Sequence, residues 1–394
     1  MQLNPRELVT QFAHVLQQDL FPVLQTVTGP MSRQMELLIA VMSLAPLHRL
    51  LAGRRAGTGR PAKDRAALAV AFMAKAILNI PTTRDLIGRL RVDEALRRCC
   101  GWSTARAVPH ESKFSRVFAE FAQTQLPQQI HEAVIAATQQ HRLIGHIARD
   151  STAIPVRERY PETEQQKAAK QKAKRKGGRS GRKKGSKGGF VRAKAAERGT
   201  RIQRQRHQNL DRQLKDLPQQ CDMGAKTNAK GHEQYWRGYK LHLDVADGQI
   251  PISAILTSAS VNDSQVAIPL MTMTSARVTY LYDLMDSAYD ADQILAHSRQ
   301  LNHVPIAAVH PRRGTKKPSK MQKMFPDQPT PQLTWAQQER YKTRTMSERV
   351  NARLKDEFGA SQIRVRGAAK VMAHLMFGVL ALAVDQWLRL AASG

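Results

Sequence analysis

Residues 277–311 read RVTYLYDLMDSAYDADQILAHSRQLNHVPIAAVHP. RVTYLYDLMD gathers Val, Tyr and Leu into a short apolar run that suits a buried strand. YDADQILAHSRQL reads as a helix, and NHVPIAAVHP as a second strand. Strand, helix and strand in succession give α/β character. Upstream, YWRGYKLHLDVADGQIPISAILTSAS places two β-rich runs around Asp247-Gly248, a strong hairpin signal. LIGHIARDST, from residue 143, is a shorter apolar run with a polar tip, again a buried strand. NDSQVAIPLMTMTSA reads as a helix with Asp263 as its simplest cap. The expected core is a mixed sheet flanked by helices, its first strand in 141–156 and its remainder in 232–365.

The flanks differ in kind. Residues 1–140 predict an all-helical domain for DNA binding or dimerisation, in which AALAVAFMAKAIL ends at Pro81 and Ser112 is a natural cap for the next amphipathic helix. Residues 157–231 hold the segment QQKAAKQKAKRKGGRSGRKKGSKGGF, too poor in apolar side chains to offset the entropy of ordering, so a largely disordered basic insertion is expected. Residues 366–394 predict a C-terminal helix. Its apolar stretch LMFGVLALAV is about half a membrane span, so it reads as buried rather than membrane-crossing.

The formal charge is +30, from 62 Lys and Arg against 32 Asp and Glu. An excess of that size implies a polyanionic partner, with nucleic acid first. Between Lys167 and Arg206 stand 17 Lys or Arg and a single acid, Glu197. Within that run Lys174, Arg175, Lys176, Arg182, Lys183 and Lys184 are expected to contact DNA phosphates without reading bases. The 3 cysteines form no C-x-x-C pair, which argues against a zinc module and fits a reducing cytoplasm. No signal peptide is apparent.

Carboxylates supply the candidate chemistry. Asp150 closes the first strand in RDST, Asp286 closes the strand in YLYDLMD, and Glu348 lies on the final helix, YKTRTMSERVNARLKDEFG (341–359). A strand-end Asp can be a mere turn residue, and Asp283 competes with Asp286. Three carboxylates from separate elements can converge on hard cations such as Mg²⁺, and two such ions clamp both oxygens of a phosphoryl transfer. On one helix Tyr341, Arg344, Glu348 and Lys355 fall within an arc of about 60°. That stripe is either a solvated salt-bridge ladder through Arg344 and Glu348, or a wall of phosphate ligands around a carboxylate.

Asp150 in RDST, Asp286 in DSAY and the ordered Y-x2-R-x3-E-x6-K spacing resemble the DDE transposases of bacterial insertion sequences, whose core is RNase H-like. GRPAKDRAALAVAFMAKAILNIP, with VPHESKFSRVF, is similar to the N-terminal domain of many such enzymes. The resemblance implies that Asp150, Asp286 and Glu348 bind two Mg²⁺ ions, with Mn²⁺ as substitute. It implies that Tyr341, Arg344 and Lys355 hold transposon-end DNA. It further implies double-stranded DNA as partner, at both transposon ends and target, a homodimer in the DNA complex, and a cytoplasmic, nucleoid-associated enzyme of bacteria. The expected reaction frees 3′-hydroxyl ends and joins them to target DNA. The alternatives are a catalytically degenerate DNA-binding protein and an RNase H-like nuclease that cuts without joining. Well-known members carry a β-rich insertion with a base-stacking Trp before the last helix. Here only Pro311 to Arg340 separate the last strand from that helix, so Trp335 receives no such role.

Overall fold

A computed structural model of the chain describes residues 31–51, 64–158, 199–227, 232–308 and 333–392. The N-terminal part is helical, as expected: α1 (Arg33–Leu44), α2 (Leu47–Leu50), α3 (Arg65–Ile77), α4 (Thr83–Val92), α5 (Glu94–Cys99), α6 (Glu111–Gln123) and α7 (Leu126–Gln139). Ser32, Asp64, Thr82 and Asp93 cap four of these by accepting a backbone N–H each. Ser112 does not cap α6. That helix begins one residue earlier, and the His110 ring nitrogen takes the Ser112 N–H at 3.3 Å.

The catalytic half contains β1 (Leu143–Pro155), α8 (Arg201–Gln205), α9 (Leu210–Lys215), β2 (Asp222–Thr227), β3 (Glu233–Ala246), β4 (Ile250–Ser258) and α10 (Ser264–Ser275). It continues with β5 (Thr279–Met285), α11 (Asp292–Gln300), β6 (Val304–Ala307), α12 (Trp335–Lys342), α13 (Thr345–Asp356) and α14 (Ala368–Ala392). The sheet runs β4-β3-β1-β5-β6, with β4-β3-β1 antiparallel and β1-β5-β6 parallel. This is an RNase H-like mixed sheet. The β3–β4 turn falls at Asp247-Gly248; Gly248 has φ +84°, and a Cβ there would meet Leu390 at 2.4 Å.

Adjacent residues of a strand point to opposite faces, and β1 uses this to divide the sheet. Arg149 is bonded to Asp244, which accepts from Thr274 of α10, while Asp150 is bonded to Asn351 of α13. Helices α10 and α11 therefore cover one face and α13 the other.

Part of the expected disordered insertion is regular structure. Residues 199–227 form α8, α9 and β2, and β2 pairs with Glu233–Gly238 of β3. These helices are anchored by buried amides as well as by Ile202, Leu214 and Leu217, which pack on α10. Gln205 and Gln213 are buried; Gln205 donates to the Gln265 carbonyl at 2.9 Å, and Gln213 to the Gln205 carbonyl at 2.8 Å. Arg201 and Arg204 share Asp216. The cluster Lys174, Arg175, Lys176, Arg182, Lys183 and Lys184 lies outside the described residues.

Helix α14 joins the two halves. Phe377 stacks on Phe72 of α3 at 6.0 Å, and Leu380, Leu382 and Val384 sit in one core with Phe114, Phe121, Leu241 and Leu256. Each such side chain contributes about 1.5–3 kcal/mol on burial. Its length and composition would permit a membrane crossing, yet residues Leu375 to Trp387 are buried against protein. It is the core helix that the apolar run predicts.

Candidate active site

On the parallel pair β1 and β5, Ala148 stands opposite Leu284. Two residues further along each chain come Asp150 and Asp286, so one register carries both carboxylates to the same end and face of the sheet. Asp150 Oδ2 accepts from Asn351 Nδ2 at 3.1 Å. Asp286 Oδ1 accepts the Ala288 N–H at 2.9 Å, starting a short 3₁₀ turn. Burial pushes the Asp150 carboxyl up to about 6; the Ser151 N–H and Arg344 oppose that rise, and the charge of Asp286 adds to it. Asp286 is likewise raised by burial, with Asp263 adding to the effect. These are two acids held near each other with incomplete compensation.

Asp283 is excluded as their competitor. It points to the other face, is fully buried, and pairs with Arg149 at 3.2 Å while accepting from Tyr280 and Ser298. Asp263 stands at the N-cap position of α10 but makes no capping bond there; Asn262 accepts the Ser264 N–H at 3.1 Å. Its carboxylate instead accepts from Lys240 Nζ at 2.9 Å, within electrostatic range of Asp286.

The predicted final helix is two helices. The chain breaks at Thr343-Arg344, where Arg344 N bonds the Tyr341 carbonyl and Met346 N the Thr343 carbonyl, both three residues back. The cause is local. Thr343 Oγ1 donates to the Arg340 carbonyl at 2.7 Å, and Ser347 Oγ to that of Arg344 at 2.9 Å, competing with the α-helical ladder. A 3₁₀ step eclipses residues three apart, so the stripe survives the break: the Arg344 guanidinium lies 5.6 Å from the centre of the Tyr341 ring.

Five of the stripe and strand-end residues share one electrostatic neighbourhood. Arg344 acts on both Asp150 and Asp286, Tyr341 feels Asp286, and Lys355 feels Asp150. Burial lowers the Lys355 ammonium, with Lys226 of β2 adding to the shift. Glu348 stands apart. It is 53% exposed and bound to Arg344 at 2.6 Å, the contact of the salt-bridge ladder. Among the described residues no three acids, histidines or cysteines stand close enough together to hold a metal ion. The Asp150–Asp286 pair fits a hard divalent cation through its oxygen donors and its raised, under-compensated carboxyls; Glu348 joins that set only by releasing Arg344.

Two residues near the pair carry no signal in the catalytic motifs. Asn351 follows Glu348 by one helical turn and could have been found on the edge of the same stripe. Lys226, whose charge reaches Asp150 and Asp286, lies in the range expected to be disordered.

Comparison with protein families agrees with this architecture. Residues 199–384 match the family described as "Transposase DDE domain", and residues 28–120 match one described as "Transposase domain". The chain belongs to the DDE transposases of insertion sequences, enzymes of DNA transposition that use divalent metal ions. The DDE match starts downstream of Asp150, because 199–384 excludes β1. No curated protein and no solved structure matches the chain significantly.

Proposed function

We propose that this transposase binds the ends of its element as double-stranded DNA, hydrolyses a phosphodiester at each end to free a 3′-hydroxyl, and joins that hydroxyl to target DNA. The observation that carries this reading is the pairing of Asp150 and Asp286 at one sheet end, facing Arg344 across from α13. Two divalent cations, Mg²⁺ or Mn²⁺, held by Asp150, Asp286 and Glu348, would supply the Lewis acid that activates the attacking oxygen and stabilises the leaving one.

The chain's own residues do the rest. Arg344 exchanges Glu348 for a DNA phosphate, and this one move frees both a carboxylate and a guanidinium fork. Lys355 and Tyr341 contact neighbouring phosphates along the same stripe. Asn351 holds the Asp150 carboxylate in place, a positioning role. The basic run contacts the DNA backbone, and two chains act together because two ends must be joined.

The test is cleavage and strand transfer by the full chain on DNA carrying its element ends, with and without Mg²⁺. Asp150→Asn, Asp286→Asn and Glu348→Gln are each expected to keep DNA binding and lose both reactions. Cleavage at the wild-type rate in Glu348→Gln would remove that residue from the site. Cleavage without joining in the wild type would leave a nuclease.

A further inference from the structure

A second cation-lined region lies at the seam between the helical part and the segment that leads into α14. A cavity of about 770 Å³ is bounded there by Lys75 of α3, the start of α4, Glu111 of α6, and Arg364, Arg366 and Lys370. Its floor is Phe72, Phe118 and Phe377. Lys75 is only 8% exposed, and its ammonium makes no hydrogen bond or ion pair with any described residue; the opposing charge that acts on it is Asp85. A buried ammonium without a partner is costly unless an anion reaches it. Arg364, Arg366 and Lys370 are exposed around the opening and also lack an ion-pair partner among the described residues.

Arg366 also borders an adjoining cavity of about 780 Å³ whose other charged walls are Arg157, Glu158 and Arg237. Glu158 does not neutralise these arginines directly. Its Oε2 accepts the Gly367 N–H at 2.8 Å and the Tyr239 hydroxyl at 3.2 Å, which fixes the turn carrying Arg366 between the two spaces. The N-terminus of α4 opens into the first cavity, but Thr82 and Asp85 already cap it. The two acids on that wall are also engaged, Asp85 with Thr82 and Glu111 with Arg84.

We propose that these joined cavities form a track for the phosphate backbone of a DNA strand, with Lys75 receiving a phosphate at its deepest point and Arg364, Arg366 and Lys370 receiving its neighbours. This deepens the transposase reading and rests on it for the choice of DNA as the polyanion.

The experiment is an anisotropy titration of the full chain with a labelled duplex of unrelated sequence, over a range of salt, without divalent metal. Each lost phosphate contact lowers the slope of log K against log salt by about 0.9. Arg364→Gln, Arg366→Gln and Lys370→Gln combined are expected to lower the slope by about two to three units. A charge-matched control, Arg91→Gln, Arg212→Gln and Arg299→Gln combined, is expected to leave it near the wild-type value. An equal loss in the control, or none in the cleft variant at an unchanged thermal midpoint, overturns the proposal.

Lys75 provides an independent readout. Burial lowers its ammonium to about 8, so a phosphate that binds it must also hold its proton. Wild-type affinity is then expected to fall between about pH 7 and 9, and Lys75→Met to be flat there. The charged groups facing Lys75 are Asp85, Glu111, Arg84, Arg364, Arg366 and Lys370, and burial lowers the one histidine on that wall, His374, to about 4, below the window. A pH dependence that persists in Lys75→Met would place the phosphate elsewhere. The two readings fail separately. A chain that cuts element ends while the cleft variants bind normally loses the track and keeps the chemistry; a chain that binds through the cleft and never cuts loses the chemistry and keeps the track.

Discussion

Two acid clusters occupy opposite faces of the same strands, and they differ in what neutralises them. On the α10 side, Arg149 bonds Asp244 at 2.7 Å and Asp283 at 3.2 Å, all three with fully buried side chains. Burial alone would raise Asp283, but Arg149, His303 and Ser298 hold it below the ordinary carboxylate range. On the α13 side, one residue further along β1, burial raises Asp150 to about 6, and no arginine bonds it. The first arrangement ties β1, β3 and β5 together through one guanidinium bonded to both carboxylates. In the second, Arg344 and Lys226 act on the carboxyls without bonding them and burial outweighs both, which leaves the pair open to a cation. Asp283 and Asp286, three residues apart at the end of one strand, thus become scaffold or chemistry according to their counter-charge.

The contrast can be broken most severely on the scaffold side. Arg149→Met leaves two buried carboxylates without their shared guanidinium, and a loss of about 3–5 kcal/mol in unfolding free energy is expected. Urea denaturation measures it; a loss below about 1 kcal/mol would make the triad as dispensable as a surface pair.

The opposite sign is expected on the other face. A carboxyl whose folded pKa is raised gives the folded state extra protons between the unfolded value near 4 and about 6, so stability falls as pH rises through that window. Asp150→Asn removes the penalty and is expected to stabilise the chain at pH 7 by about 1–3 kcal/mol while abolishing cleavage. Thermal midpoints from pH 4 to 7 check the sign. Added Mg²⁺ is expected to raise the wild-type midpoint at pH 7 and not that of the variant.

The smallest stability effect belongs to the stripe. The Arg344–Glu348 contact joins a mostly buried guanidinium to a half-exposed carboxylate, and an i,i+4 pair of that kind is worth about 0.3–0.5 kcal/mol. Arg344→Ala is therefore expected to leave the midpoint nearly unchanged and to reduce strand transfer clearly, with Arg344→Lys rescuing it in part. Full strand transfer in Arg344→Ala would return the contact to a ladder.

The strands and helices with apolar patterning were legible in the sequence. Val278 to Met285, the Asp247-Gly248 hairpin and the run from Leu375 to Val384 announced β5, the β3–β4 turn and α14. The aspartates were legible because each ends such a run. What escaped notice was held by polar bonds. Residues 199–227 are held by Gln205, Gln213 and Asp216 beside Ile202, Leu214 and Leu217, and in sequence they group with the apolar-poor basic run that precedes them. The helix break at Thr343 escaped because hydroxyl competition for carbonyls leaves the spacing of the stripe intact. The contact between Glu348 and Arg344 is a choice of rotamer, and spacing reads equally well as ladder or wall.

Helix α14 comes last among the described elements, and its 25 residues pack on α1, α3, α6, α7 and β4 alike. During synthesis these earlier elements therefore leave the ribosome with a common apolar face and nothing to cover it. The chain is expected to acquire its fold only after translation has passed Ala392, late and all at once, with neither half maturing ahead of the other. A chain cut short before α14 is expected to expose that apolar face and to be digested by a protease at once, where the full chain resists.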